Sequence, residues 1–260
     1  MQAQAKFKVA LVQANIHWEN VQKNIEHFNE LLKQISAVDL IVLPEMFTTG
    51  FSINTELAKE NSTIALPWLQ ATAKEKNAVM CGSVIIEESQ SFYNRLFWVE
   101  PSGRISTYDK RHLFSLSEEP KHFSAGKERL IVEYKGWKFC PLVCYDLRFP
   151  VWSRNQDNYN VLLYIASWPQ KRDFAWNTLL PARAIENQSY VIGVNRIGID
   201  GNGLSYSGNS AVYDALGEKL FSNSVHQESI KIATLDFASQ QKIRTKLPFL
   251  NDRDSYSISE

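Results

Sequence analysis

The chain has 260 residues, of which 44% are apolar, and its 28 basic side chains equal its 28 acidic ones. That length is enough for one sizeable α/β core, and the neutral balance gives no electrostatic reason to expect nucleic acid or an anionic membrane surface. No apolar run approaches the roughly 18 to 20 residues that cross a bilayer, and no signal-peptide pattern develops before Gln13 and Asn15. The three cysteines, an odd number, fit a reducing cytoplasm better than a disulfide framework.

In chain order, apolar and β-rich runs fall at residues 8–16, 39–47, 79–86, 96–99, 130–134, 139–145, 161–167, 190–195 and 210–213. Residues 20–36 place Val21, Ile25, Phe28, Leu31, Leu32 and Ile35 at three- and four-residue steps, which predicts an amphipathic helix. Residues 66–76 and 173–188 read the same way, the second with Asp173 as its expected N-cap. Hairpin turns are expected at Pro101-Ser102-Gly103, Tyr134-Lys135-Gly136 and Ala215-Leu216-Gly217. Strands alternating with helices, with hairpins between them, predict one mixed-sheet α/β domain over 1–260, with a polar, extended tail after about residue 247.

Three strand ends carry chemistry. The run 139–143 stops at Cys144, where a helix N-terminus would lower the thiol pKa. A buried free cysteine is the bland alternative for any single such residue. Cys140 lies four strand residues earlier, roughly 13 Å away, whereas a disulfide needs Cα atoms within about 7 Å. Pro141 also disfavours the helix that would bring the two together. The run 39–43 ends in Pro44 and Glu45, and Lys110 lies just beyond the hairpin at Gly103. Adjacent strands ending at one rim would converge Glu45, Lys110 and Cys144. Those groups suffice for amide hydrolysis: a thiol nucleophile, a carboxylate that shuttles its proton, and an ammonium facing the oxyanion beside the Tyr145 N–H.

The segments Leu43-Pro44-Glu45-Met46-Phe47, Tyr108-Asp109-Lys110-Arg111-His112-Leu113-Phe114 and Cys144-Tyr145-Asp146-Leu147-Arg148-Phe149-Pro150 resemble, in order and spacing, the three signatures of the nitrilase (carbon–nitrogen hydrolase) superfamily. The resemblance spans nearly the whole chain. It implies a single-domain αββα sandwich, a Glu45–Lys110–Cys144 triad, no cofactor, and a homodimer. It also implies a second glutamate seven residues before a glycine. Gly126 points to Glu119, with Glu118 adjacent, and that glutamate would orient the lysine or the substrate. Ser167-Trp168-Pro169, residues 180–188, residues 193–198 and Met46-Phe47-Thr48-Thr49-Gly50-Phe51 resemble the ω-amidase group. That likeness implies hydrolysis of the terminal amide of 2-oxoglutaramate or succinamate.

Phe114, Tyr145 and Trp168 are candidate pocket walls, with core packing as the alternative. Arg183 and Glu186, at helical spacing, are expected to form a structural ion pair, and Arg148 is expected to lock the loop after Cys144. His112, His122, Glu118 and Glu119 match no zinc spacing, so no metal is expected. Three readings compete: an ω-amidase, a relative acting on a nitrile, an N-carbamoyl compound or deaminated glutathione, and a catalytically silent binding protein. No residue in the sequence identifies itself as the anchor for a substrate carboxylate.

Overall fold

The computed structural model describes residues 3–258. The first half of the chain builds one sheet from β1 (Lys6–Gln13), β2 (Leu40–Val42), β3 (Val79–Glu88), β4 (Ser91–Val99) and β5 (Ile105–Asp109). The second half builds another from β6 (Val132–Tyr134), β7 (Trp137–Val143), β8 (Val161–Ala166) and β9 (Tyr190–Asn195). A ribbon of β10 (Ile197–Ile199) and β11 (Ser205–Ser207) follows, and β12 (Ala211–Tyr213) and β13 (Lys219–Ser222) complete the second sheet. The chain then returns, and β14 (Ser229–Asp236) pairs antiparallel with β1 at the edge of the first. The spatial orders are β14-β1-β2-β3-β4-β5 and β13-β12-β9-β8-β7-β6. Each sheet has three parallel central strands with antiparallel strands outside them.

The helices are α1 (Val21–Leu32), α2 (Leu57–Glu60), α3 (Leu66–Lys76), α4 (Glu119–His122), α5 (Pro150–Ser153), α6 (Asp173–Asn187) and α7 (Phe237–Lys246). None of them is long and apolar enough to cross a membrane. Strand alternation sorts the side chains into layers. On β1, Phe7, Val9 and Leu11 join the core between the sheets, where Phe7 and Trp98 meet Phe139 at 5.1 and 4.9 Å. Ala10 and Val12, on the opposite face, pack with Val21, Ile25, Phe28 and Leu32 of α1 and with Leu69 of α3. Trp176, Leu180 and Ala184 of α6 cover the second sheet. Each large apolar side chain buried in this way contributes about 1.5–3 kcal/mol. The result is the αββα sandwich that the family resemblance implied.

The three expected long helices are present, α1 with Asn20 capping the Lys23 N–H at 2.9 Å. All three expected hairpin turns join antiparallel neighbours. The run expected at 39–47 is a strand only to Val42, because the chain turns at Pro44 and Met46 adopts a left-handed φ of 46°. Asp173 is not the N-cap of α6. Arg172 holds that position, and the Asp173 carboxylate accepts instead from Ser207 and Asn209 at 2.6 and 3.1 Å. A preceding 3-10 turn, Gln170–Arg172, runs straight into the helix and shifts the boundary by one residue. β5, β14 and α7 are elements the apolar pattern did not reveal. In α7 only Gln240 is buried, so no apolar stripe exists to be read.

Candidate active site

Glu45 follows β2, Cys144 follows β7 and the pair Ser167-Trp168 follows β8, all at carboxyl ends of central parallel strands. β5 is reached from β3 by two antiparallel steps, which restore its direction and bring Lys110 to the same rim. The rims of the two sheets meet directly. The Ser167 N–H donates to Glu45 Oε2 at 2.8 Å, and its hydroxyl to the Glu45 carbonyl at 3.2 Å. Crevices at the carboxyl ends of such strands are where open α/β sheets bind ligands.

Lys110 lies at the centre of a sealed cluster. Its Nζ donates to Glu45 Oε1 at 2.9 Å and to both oxygens of Glu119 at 3.0 and 2.9 Å, with all three side chains fully buried. Asn94 donates to Glu45 at 2.8 Å and Glu119 at 3.4 Å, and the Phe114 N–H donates to Glu119 at 2.5 Å. Burial alone would lower the Lys110 pKa, but Glu119 and Glu45 outweigh it and raise it, so the side chain is a firm ammonium. Burial raises the Glu119 pKa and Glu45 adds to the rise, while Lys110 opposes both. Glu118, next in sequence, is exposed and bonded to Lys121 at 2.6 Å, so geometry separates the two glutamates. Gly126 has its own reason: a Cβ there would sit 2.0 Å from the Asp109 carbonyl oxygen, against the chain that leads into Lys110.

Cys144 opens a 3-10 segment, Cys144–Arg148, with a φ of 45°. A left-handed conformation costs a non-glycine residue about 1–2 kcal/mol. Asp146 offsets that cost. Its fully buried carboxylate accepts from the Val143 N–H at 3.0 Å, the Tyr108 hydroxyl at 2.7 Å and the His112 N–H at 3.1 Å. The same residue thereby ties the cysteine turn to the segment that carries Lys110. Arg183 Nη2 donates to the Leu147 carbonyl at 2.7 Å and its Nη1 to Glu186 at 3.1 Å, the ion pair that the helical spacing anticipated.

Two expectations are overturned here. Burial and the facing Glu45 push the Cys144 thiol well above its ordinary range, with Lys110 pulling the other way, so the resting group is a thiol and not a depressed thiolate. A single 3-10 turn offers too little dipole to reverse desolvation and an opposing carboxylate. Arg148 does not lock the loop. It is exposed, its guanidinium stacks 4.9 Å over Trp168, and Arg183 holds the loop instead.

A cavity of about 690 Å³ opens over the cysteine. Lys110, Phe114, Cys144, Tyr145 and Trp168 all line it, so the three aromatic candidates are brought to the site. Phe114 and Tyr145 meet edge-to-face at 5.1 Å, and Trp168 donates its indole N–H to the Arg172 carbonyl at 2.9 Å. Asn195 clamps the Trp168 backbone from both sides, at 2.8 and 3.0 Å. Phe51 places its ring 5.0 Å from Lys110 Nζ. His112, His122, Glu118 and Glu119 do not gather: His112 bonds Asp146, Glu119 bonds Lys110 and Glu118 bonds Lys121. Sequence reasoning missed Asn94, Ser167, Asp146 and Phe51 as parts of the site. Phe51, Asp146 and Ser167 lie inside the segments that carry the resemblance, whereas Asn94, beside Arg95 in β4, had no such signal.

Comparison with known proteins agrees with this architecture. The carbon-nitrogen hydrolase family model matches residues 8–245. The chain is 46% identical over 251 residues to the omega-amidase YafV of Yersinia enterocolitica, covering 96% of this chain and 98% of that protein. It is 34% identical over 256 residues to the 2-oxoglutaramate amidase of Bacillus subtilis, covering 95% and 97%. A crystal structure of a CN-hydrolase superfamily protein from Xanthomonas campestris, with an arsenic adduct in its active site, superposes with a TM-score of 0.94 at 38% identity, over 98% of this chain and 100% of that one. With the sandwich, the sealed acid–base cluster and the cysteine turn all in place, the chain belongs to the carbon–nitrogen hydrolase family.

Proposed function

We propose that this protein is an ω-amidase. It hydrolyses the terminal carboxamide of a small dicarboxylate monoamide, 2-oxoglutaramate or succinamate, to the dicarboxylate and ammonia. The observation that carries this reading is the fully buried Glu45–Lys110–Glu119 cluster beside a thiol that opens onto a cavity. The names of the relatives at 46% and 34% identity support the substrate class.

In this reading Cys144 Sγ attacks the amide carbon as Glu45 takes the thiol proton. The raised thiol pKa makes that transfer part of the attack rather than a preceding ionisation. The carbonyl oxygen becomes an oxyanion facing the Lys110 ammonium and the Tyr145 N–H. A protonated Glu45 holds Lys110 less strongly and frees its donor for that oxygen. The proton then passes to the amide nitrogen, the C–N bond breaks, ammonia leaves and a thioester remains. Water, deprotonated by Glu45, attacks the thioester carbon, and the C–S bond breaks with return of the proton to sulfur. Glu119 and Asn94 keep the ammonium and the carboxylate in place throughout.

Ammonia release from 2-oxoglutaramate, succinamate, a nitrile and an N-carbamoyl compound tests the assignment, with Cys144→Ala beside the wild type. Release from the first two, abolished in the variant, is the expected result. Release from another compound alone moves the substrate, and silence on all four favours a binding protein. A homodimer in the cytoplasm belongs to the same reading. Exposed Val151, Phe174 and Ile185 on the outer helices of the second sheet, and three unbonded cysteines, support it. Sedimentation of a monomer would remove the dimer.

A further inference from the structure

The cavity lining carries two guanidiniums that no carboxylate among the described residues pairs with. Arg148 and Arg172 both line the cavity. Arg148 stacks 4.9 Å over the Trp168 ring, and Arg172 stacks 4.9 Å over the Phe114 ring. Among the described residues neither side chain donates a hydrogen bond or forms an ion pair. Every other arginine of the chain does. Arg95, Arg104, Arg129 and Arg183 meet carboxylates. Arg111, Arg154, Arg196, Arg244 and Arg253 donate to carbonyl or amide oxygens.

The two unanswered cations are close enough to repel each other, and Arg172 also feels the Cys144 sulfur. Arg172 is partly buried and Arg148 is exposed beside it, an unfavourable pairing of like charges that an entering anion would relieve. Each guanidinium rests against an aromatic ring and donates no hydrogen bond among the described residues, so its N–H edges are free for a bidentate carboxylate. The acidic residues that line the cavity already accept from other partners. Glu19 accepts from Ser52, Glu118 pairs with Lys121, and Asp200 accepts from Tyr206 at 2.8 Å.

We propose that Arg172, with Arg148 beside it, is the clamp for the distal carboxylate of the substrate, and that the pair selects dicarboxylate monoamides over neutral amides. The proposal rests on the ω-amidase reading and names the binding residues it lacked. Phe114 and Trp168 act as the platforms that aim the two guanidiniums. Lys171, also at the cavity, adds positive field without the fork.

Two measurements separate this clamp from the reaction itself. Succinamate and butyramide have the same chain length and differ in the carboxylate. In Arg172→Gln the ratio of kcat/KM for succinamate to that for butyramide should fall about 10- to 100-fold, mostly through KM, the range of a lost charge-assisted hydrogen bond. Arg148→Gln should lower it less, and Arg172→Lys should restore part of the loss. An equal fall for both amides would show a structural role and overturn the clamp.

The second measurement is binding of succinamate by calorimetry to Cys144→Ala, which does not turn over, with and without Arg172→Gln. Affinity about tenfold weaker or more in the double variant is expected. Unchanged affinity in the double variant, or no binding to Cys144→Ala itself, overturns the clamp. Arginine-dependent binding without hydrolysis by the wild type would instead sink the ω-amidase reading and leave the clamp standing.

Discussion

Two sets of cations surround the same thiol, and they are built in opposite ways. Lys110 is fully buried, with both Glu45 and Glu119 within 3.0 Å and a donor from Asn94 on each of them. Arg148, exposed, and Arg172, partly buried, line the cavity over aromatic rings and have no acidic partner among the described residues. A cation sealed with its counter-charges can serve chemistry that recurs unchanged for every substrate. One left unanswered on a cavity wall stores its interaction for whatever enters. The difference teaches where reaction type and substrate choice reside in this molecule.

The largest effects should come from breaking the sealed side. Cys144→Ala should lower ammonia release about 10⁴-fold or more while leaving the thermal midpoint nearly unchanged, as read by an ammonia assay and a melting curve. Lys110→Met should cost about 10²- to 10³-fold in kcat. It should also cost about 3–5 kcal/mol of stability, since two buried carboxylates would then face each other. Acid should relieve that repulsion by protonating Glu119, whose pKa is already raised. The variant's deficit in denaturation midpoint should therefore be smaller at pH 5 than at pH 8, and a deficit independent of pH would contradict the charge pairing.

A smaller effect sharpens the contrast between the walls. Asn94→Ala removes the donor that both carboxylates share and should lower kcat about tenfold with little change in KM. Arg172→Gln should show the opposite split. Equal KM effects from the two variants would erase the distinction drawn above.

The smallest effect concerns Cys140, four residues before Cys144 on the same strand and sealed in the core. Burial pushes its thiol up to about 12. The unfolded thiol ionises near 9, so above that pH the folded state holds a proton the unfolded state has released, and stability falls as pH rises. From pH 7 to 10 this one group removes about 1.4 kcal/mol. Cys140→Ala should keep its activity and lose that much less stability over the same interval, as read from urea midpoints.

The strands and helices with strong apolar periodicity were legible in the sequence. So were three strand ends that stop at a carboxylate, a lysine and a thiol. Asn94, Ser167 and Asp146 were not, because each acts through a partner 25 to 122 positions away, a pairing no local pattern records. Arg148 read as a loop lock because sequence proximity to Cys144 stood in for contact. Arg183, on a distant helix, has that role.

By itself the sequence determined the layers and the three chemical groups, since alternation and helical spacing follow from the backbone and the groups are fixed by residue type. The convergence of the two sheet rims, the protonated state of the thiol and the two unpaired arginines were decided only by the tertiary structure. Those properties depend on distance, burial and the sum of neighbouring charges, which exist only once the two halves of the chain have packed face to face.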